Sequence, residues 1–125
     1  MRSLQNHEQT GSVWHPKAHR AEGSWRIEAQ GDGLLFRLGA DFRTDWGPDV
    51  KLYLVTQEIE GIGIRDQLGD SGTSIGLIQA FEGAQDYTLP EPHRFGAFRA
   101  IMLHCQRYSA VWCGIEINTH ITEEN

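Results

Sequence analysis

Apolar and polar positions alternate with a period of two along much of this chain. Leu34, Phe36 and Leu38 interleave with Leu35, Arg37 and Gly39, and further on Leu52 and Leu54 interleave with Lys51, Tyr53 and Val55. That spacing sends successive side chains to opposite faces, so both runs predict strands. The corner between them reads Asp45-Trp46-Gly47-Pro48-Asp49. Pro48 has no amide to give a ladder and Gly47 can take a positive φ, so pairing must stop and restart there. Upstream, Trp25, Ile27 and Ala29 alternate with Arg26, Glu28 and Gln30, and Gly31-Asp32-Gly33 turns the chain back into Leu34. Two alternating runs around a glycine-rich turn predict a β-hairpin.

The remaining segments extend the same pattern. Ser12 to Trp14 reads as a short first strand that His15-Pro16-Lys17 breaks. Thr56 to Ser74 carries Gly61, Gly63, Gly69 and Gly72 without sustained periodicity, as expected of a flexible insertion or a functional lid. Its Gly-Ile-Gly and Gly-Asp-Ser-Gly pieces lack the strand-to-helix glycine pattern of a phosphate loop, which argues against nucleotide binding. Ile75 to Ala80 is a short strand, and Tyr87 to Leu89 runs into Pro90-Glu91-Pro92, which cannot continue a central strand. Ala100 to Cys105 and Tyr108 to Ile117, rich in β-branched and aromatic residues, close the fold around Gln106-Arg107. Nothing sustains a helical period. The expectation is an all-β single domain over residues 11–119, an antiparallel β-sandwich of jelly-roll or immunoglobulin-like type or a partly closed barrel. Residues 1–10 read as a flexible lead-in or short edge addition, and residues 120–125, with His120, as a polar tail.

Composition narrows the function. At 125 residues and 39% hydrophobic content there is material for one core. A formal charge of −6, with Lys17 and Lys51 as the only lysines, argues against nucleic acid, whose binders need clustered cations. No run approaches the roughly 18 apolar residues of a membrane helix, so no membrane insertion is expected. Met1 to Thr10 has neither a basic start nor an apolar centre, which as written points to the cytoplasm. Cys105 and Cys113 are too few for a disulfide framework.

Ordered motifs across the chain carry a family resemblance. Gly23-Ser24-Trp25-Arg26-Ile27, Leu34-Leu35-Phe36-Arg37-Leu38, Asp41-Phe42-Arg43-Thr44 and Gly47-Pro48-Asp49-Val50 are followed by Ile75-Gly76-Leu77-Ile78, Gly83-Ala84-Gln85-Asp86-Tyr87-Thr88-Leu89-Pro90 and the closing Ala100 to Tyr108. From about Gly11 to Ile117 this resembles the DM-thirteen domain, the electron transfer DM family associated with DOMON domains. The resemblance implies a β-sandwich with one characteristic redox cysteine, here Cys105. It also implies a setting beside DOMON or membrane cytochrome domains in exported or surface proteins, the alternative to the cytoplasm. His104 stands where that family tends to carry an aromatic residue.

Elementary chemistry weighs the candidate residues separately. Cys105 shares a strand face with Ile101 and Leu103, so it is either a small core hydrophobe or a thiol activated by Arg107 or His104. With a turn at Gln106-Arg107, Cys105 opposes Tyr108, and five further residues at roughly 3.3 Å each carry Cys113 out of bridging range, so both thiols are expected free. His15 and His19 have a four-residue spacing that Pro16 denies to a helix. Only folding could gather them with His93 or the His104/Cys105 pair into a copper or zinc site; otherwise they are scattered surface histidines. Asp49 after Gly-Pro suits hydrogen bonds to loop amides, and together with Asp41 and Asp45 could form an acidic lip with Trp46 as a stacking platform. Trp25 and Trp112 read as core anchors. Trp14 and Trp46 fall at strand ends, where ligand or partner contact is expected, which makes Trp14, Trp46, Asp49 and His104 the ligand-binding candidates. No Ser-His-Asp order is present and Ser71-Gly72 is not a nucleophile elbow, so hydrolysis has no support.

The reading that follows is a small redox or electron-transfer module using Cys105 with an unknown redox or protein partner; the alternative is a non-enzymatic binding module for a metal, haem or small ligand, or a structural or interaction protein. The sequence requires no cofactor, and an open sheet edge leaves a homodimer available.

Overall fold

The computed structural model describes residues 4–118. The strands follow in chain order as β1 (Gln9–Gly11), β2 (His15–Pro16), β3 (Ala21–Glu22), β4 (Trp25–Gln30), β5 (Gly33–Leu38) and β6 (Arg43–Thr44). Then come β7 (Val50–Val55), β8 (Thr73–Leu77), β9 (Gln85–Leu89), β10 (Ala100–Cys105) and β11 (Ala110–Glu116). All pairings are antiparallel. One sheet has the order β1-β4-β5-β9, the second β2-β11-β10-β7-β8, and β3 pairs with β6 in a small third. The two larger sheets face each other as a β-sandwich, and the expected all-β domain is what the chain forms.

Alternation builds the main core. Along β5 the pattern of buried and half-buried residues is strict, with Leu34, Phe36 and Leu38 turned inward. The hairpin to β4 pairs Gln30 with Gly33 around Gly31, whose φ of +59° is the left-handed conformation glycine adopts without penalty. Trp25, Ile27, Phe36 and Tyr87 meet Leu52, Leu54, Ile101, Leu103, Trp112 and Ile115 from the opposite sheet.

The head of the chain contains a 3-10 turn at Leu4–His7 and the edge strand β1, where Gly11 pairs with Trp25. Several segments differ from the expectation. Ser12 to Trp14 is not a strand. The strand comes one step later, at His15–Pro16, pairing with Gly114 and Cys113 on the sheet edge, where a proline's missing amide costs nothing. The turn after β10 is four residues long, Gln106 to Ser109, so Cys105 opposes Ala110 rather than Tyr108.

The largest difference is the glycine-rich stretch, which packs instead of flopping. Residues 56–72 cross the outer face of the five-stranded sheet, with a 3-10 turn at Ile59–Gly61 and a single helical turn, α1, at Leu68–Ser71. Ile59, Ile62 and Leu68 bury themselves against Tyr53, Val55, Ala100, Met102 and Val111 as a second core. Full burial of such a side chain is worth about 1.5–3 kcal/mol, enough to hold a segment with little regular structure. Polar ties add to it: Val111 N–H donates to the Ile64 carbonyl at 2.7 Å, Arg65 Nη1 to the Tyr108 carbonyl at 2.8 Å, and Lys17 Nζ to the Ile59 carbonyl at 3.0 Å.

With a core on each side, all six residues of β10 are buried. Neighbouring Gly114 has no room for a side chain, since a Cβ there would lie 2.7 Å from the Ile101 carbonyl oxygen, which belongs to the sheet ladder and cannot step aside. Gly114→Ala is therefore expected to lower stability by about 1–3 kcal/mol, read as a lower urea midpoint at unchanged m-value.

Candidate redox site at the end of the central strand

Cys105 is the last residue of β10, paired with Val50 on one side and Ala110 on the other. The strand ends there because the Gln106 amide turns to the Asp49 carbonyl and Ser109, at φ 50°, closes the exposed turn onto the Gln106 carbonyl. The thiol points into the main core and is fully buried. Cys113 is buried in the same core because of a bulge. Leu103 pairs with Cys113 and His104 with Val111, so Trp112 is the extra residue and both it and Cys113 face inward. Both thiols are free, as expected.

The two thiols differ in setting. Burial pushes Cys113 up to about 12, the Asp45 charge adds to the rise, and a hydrogen bond with Thr44 opposes it. Cys113 is thus held as a thiol at neutral pH. Cys105 is followed directly by the exposed Gln106 and Arg107.

The corner after β6 closes over this end of the sandwich. Gly47 is there for space rather than for a positive φ: a Cβ would stand 2.9 Å from Val50 Cγ2 and 3.0 Å from the Trp112 ring. Trp112 Nε1 donates to the Asp45 carbonyl at 3.0 Å. His19 stacks on the Trp112 ring with centroids 3.8 Å apart, and its Nδ1 lies 2.8 Å from Asp45 Oδ2. Trp46, 68% exposed, tilts against Phe81.

The carboxylates expected to share a lip have separate partners. Asp41 Oδ1 accepts from the Ser24 amide and hydroxyl, both at 2.9 Å, and these hydrogen bonds hold it below the usual carboxylate range. Asp45 goes to His19, and Asp49 lies 3.7 Å from Lys51 Nζ, which donates to Gln106 Oε1. Trp14, expected at a contact surface, is instead buried; its Nε1 donates to the Gly23 carbonyl and its ring leans on Phe42. His15 is on the β2 edge opposite Gly114, His19 on Trp112, and His93 exposed in the 3-10 turn Pro92–Ala97. Among the described residues no three His, Cys, Asp or Glu side chains gather in a way that could hold a metal ion. His120 lies outside those residues.

His104 is on the opposite face of β10 from Cys105, edge-on to the Tyr53 ring with centroids 6.0 Å apart. It is fully buried, and neither ring nitrogen has a hydrogen bond of good geometry. Burial lowers its proton affinity below that of an ordinary histidine; the Asp66 main chain and the Asp49 charge oppose that, and Lys51 adds to it. Elsewhere, a cleft of about 730 Å³ crosses the four-stranded sheet, with Ser12, Ser24, Gly39 and Ala84 beside Arg26, Arg37 and Asp86. Glu28 and Asp86 neutralise its guanidinium groups.

The Trp112–His19–Asp45 cluster was not evident from spacing. Its one sequence signal is that Trp112-Cys113 breaks the alternation of β11. A family model described as electron transfer DM13 matches residues 15–117, most of the chain. No curated protein and no solved structure matches it. No helix among the described residues is long and apolar enough to cross a membrane.

The Cys113 thiol sets an alkaline limit on stability. Folded, it keeps its proton to about pH 12, whereas the unfolded thiol releases it near 9.0. Between those values the folded state binds more protons, so stability falls as pH rises, by at most about 1.4 kcal/mol per pH unit for that proton. Urea titrations from pH 8 to 11 should show this slope, shallower in Cys113→Ala; the remainder comes from Tyr87, which burial also raises.

Proposed function

The chain belongs to the electron transfer DM13 family, and we propose that within that electron-transfer role it is a small redox module whose reacting group is the Cys105 thiol. The observation that carries this reading is the position of Cys105 at the end of β10, under an exposed four-residue turn. Local opening of that turn exposes the sulfur without dismantling either sheet, whereas Cys113 lies within β11, paired on both sides. The family match, the strand-end position and the contrast with a thiol held protonated by burial all favour Cys105 as the working sulfur.

The partner is a protein disulfide. With the turn open, Cys105 loses its proton to water and the thiolate attacks one sulfur of the partner's disulfide. A mixed disulfide forms, the partner's sulfur–sulfur bond breaks, and the electron pair leaves on the released partner thiolate, which takes up a proton. A thiolate of a donor dithiol then attacks the Cys105 sulfur and releases the partner as a dithiol. The donor's second thiol attacks the donor sulfur of the new mixed disulfide, which leaves the donor as a disulfide and returns Cys105 as a thiolate, so one electron pair has passed from donor to partner. Arg107, exposed in the turn, is the nearest cation in sequence to favour that thiolate. Cys113 cannot serve as an internal resolving thiol. It pairs with Leu103, two residues up β10 from Cys105, and at pH 8 a thiol with pKa of about 12 is thiolate in roughly one molecule in ten thousand.

Alkylation of the native protein over pH 6–10, with each cysteine followed by peptide mass, tests the assignment. Cys105 is expected to react in the folded protein at least about tenfold faster than Cys113, with a rate that rises as its thiolate forms. A Cys105 that reacts only after denaturation removes it as the redox group.

A further inference from the structure

His104 presents an unusual combination. The imidazole is fully buried, both its nitrogens lack a well-formed hydrogen bond, and the segment covering that face of the sheet is held by one small core and a few polar ties. A buried polar group in that state costs free energy, and adding a charge to it costs more. The groups that face it make no dedicated acceptor for a second proton. From β7 come Tyr53, edge-on to the ring, and Lys51, directly opposite in the ladder, with Asp49 nearby and 3.7 Å from the lysine. From the covering segment comes Asp66, whose main chain favours the protonated ring without forming a hydrogen bond of good geometry and whose carboxylate accepts from the Gly63 amide at 2.8 Å; Arg65 beside it donates to the Tyr108 carbonyl. The residue opposite on β11 is Val111.

We propose that His104 is a proton-operated latch: with the ring neutral, residues 56–72 lie closed over β7, β10 and β11, and when the ring takes up a proton that segment lifts and admits water to the imidazole. The direction follows from the geometry. A closed segment leaves the cation without water or a counter-charge in contact, and an open one supplies water. The ties that must break are those of the roof itself, Val111 N–H to Ile64 and Arg65 to Tyr108. The second of them also pins the turn above Cys105, so lifting the roof loosens that turn. The latch goes beyond the redox reading and does not depend on it, because amide exchange reads it whether or not Cys105 reacts.

Hydrogen–deuterium exchange of the whole chain at pH 7.5 and 5.0, corrected for the intrinsic pH dependence of exchange, tests it. Exchange in peptides covering residues 56–72 and 106–111 is expected to accelerate by up to about tenfold for each pH unit below 6.5, while β4 and β5 keep their protection. His104→Phe, which fills the site with an uncharged ring, should leave the roof equally closed at both pH values. Should that variant fail to fold, His104→Gln, polar but uncharged, should give the same pH-independent result. Unchanged protection of residues 56–72 in the native protein, an equal loss in a folded variant, or loss shared equally by β4 and β5 would overturn the latch.

Discussion

The enclosure of β10 on both faces is the constraint on which the other features rest. A strand at the heart of a sandwich usually has one face against the core, and alternation then separates wet from dry residues. Here Ile101, Leu103 and Cys105 enter the main core, while Ala100, Met102 and His104 lie beneath the roof of residues 56–72. Neither set has access to solvent. The Cys105 thiol and the His104 imidazole are therefore placed back to back at the end of one strand, and burial disfavours the charged form of the imidazole.

A bulge and a corner complete that end of the molecule. The extra residue in β11 turns Trp112 inward beside Cys113, and the indole then serves several neighbours: Gly47 lies against it, His19 stacks on it, and the Asp45 carbonyl accepts from it. Asp45 also holds His19 and raises the proton affinity of Cys113. One turn of backbone thus couples a surface carboxylate–imidazole pair to a buried thiol. The roof connects to the same region through Arg65 and the turn beyond Cys105.

Much of the sandwich was legible in the sequence because it obeys one-faced alternation. The β4–β5 hairpin, the inward row Leu34, Phe36 and Leu38, the core tryptophans Trp25 and Trp112 and the closing pair of strands all follow from it. The roof was not legible. Ile59, Ile62 and Leu68 are spaced for neither a strand nor a sustained helix, and their burial depends on an outer sheet face that only the folded chain presents. The bulge was hidden for a related reason: a single unpaired residue shifts the register beyond it, so Leu103 meets Cys113 and not Trp112, just as the four-residue turn sets Cys105 against Ala110 and not Tyr108. For the site, the cysteine came from family resemblance, since alternation alone made it a core hydrophobe. Trp14 looked like a strand-end contact but is buried on Phe42, and histidines close in sequence went to different partners.

The central claim is that the end of β10 is dry on both sides, and the ionisation of His104 reports on it most directly. An NMR titration of the histidine ring resonances, with His104 assigned by comparison with His104→Phe, would follow that single proton. The account predicts a neutral imidazole whose midpoint lies clearly below the ordinary 6.5. A midpoint at or above 6.5 would mean that water or a counter-charge reaches the ring, and would contradict the enclosure of the strand.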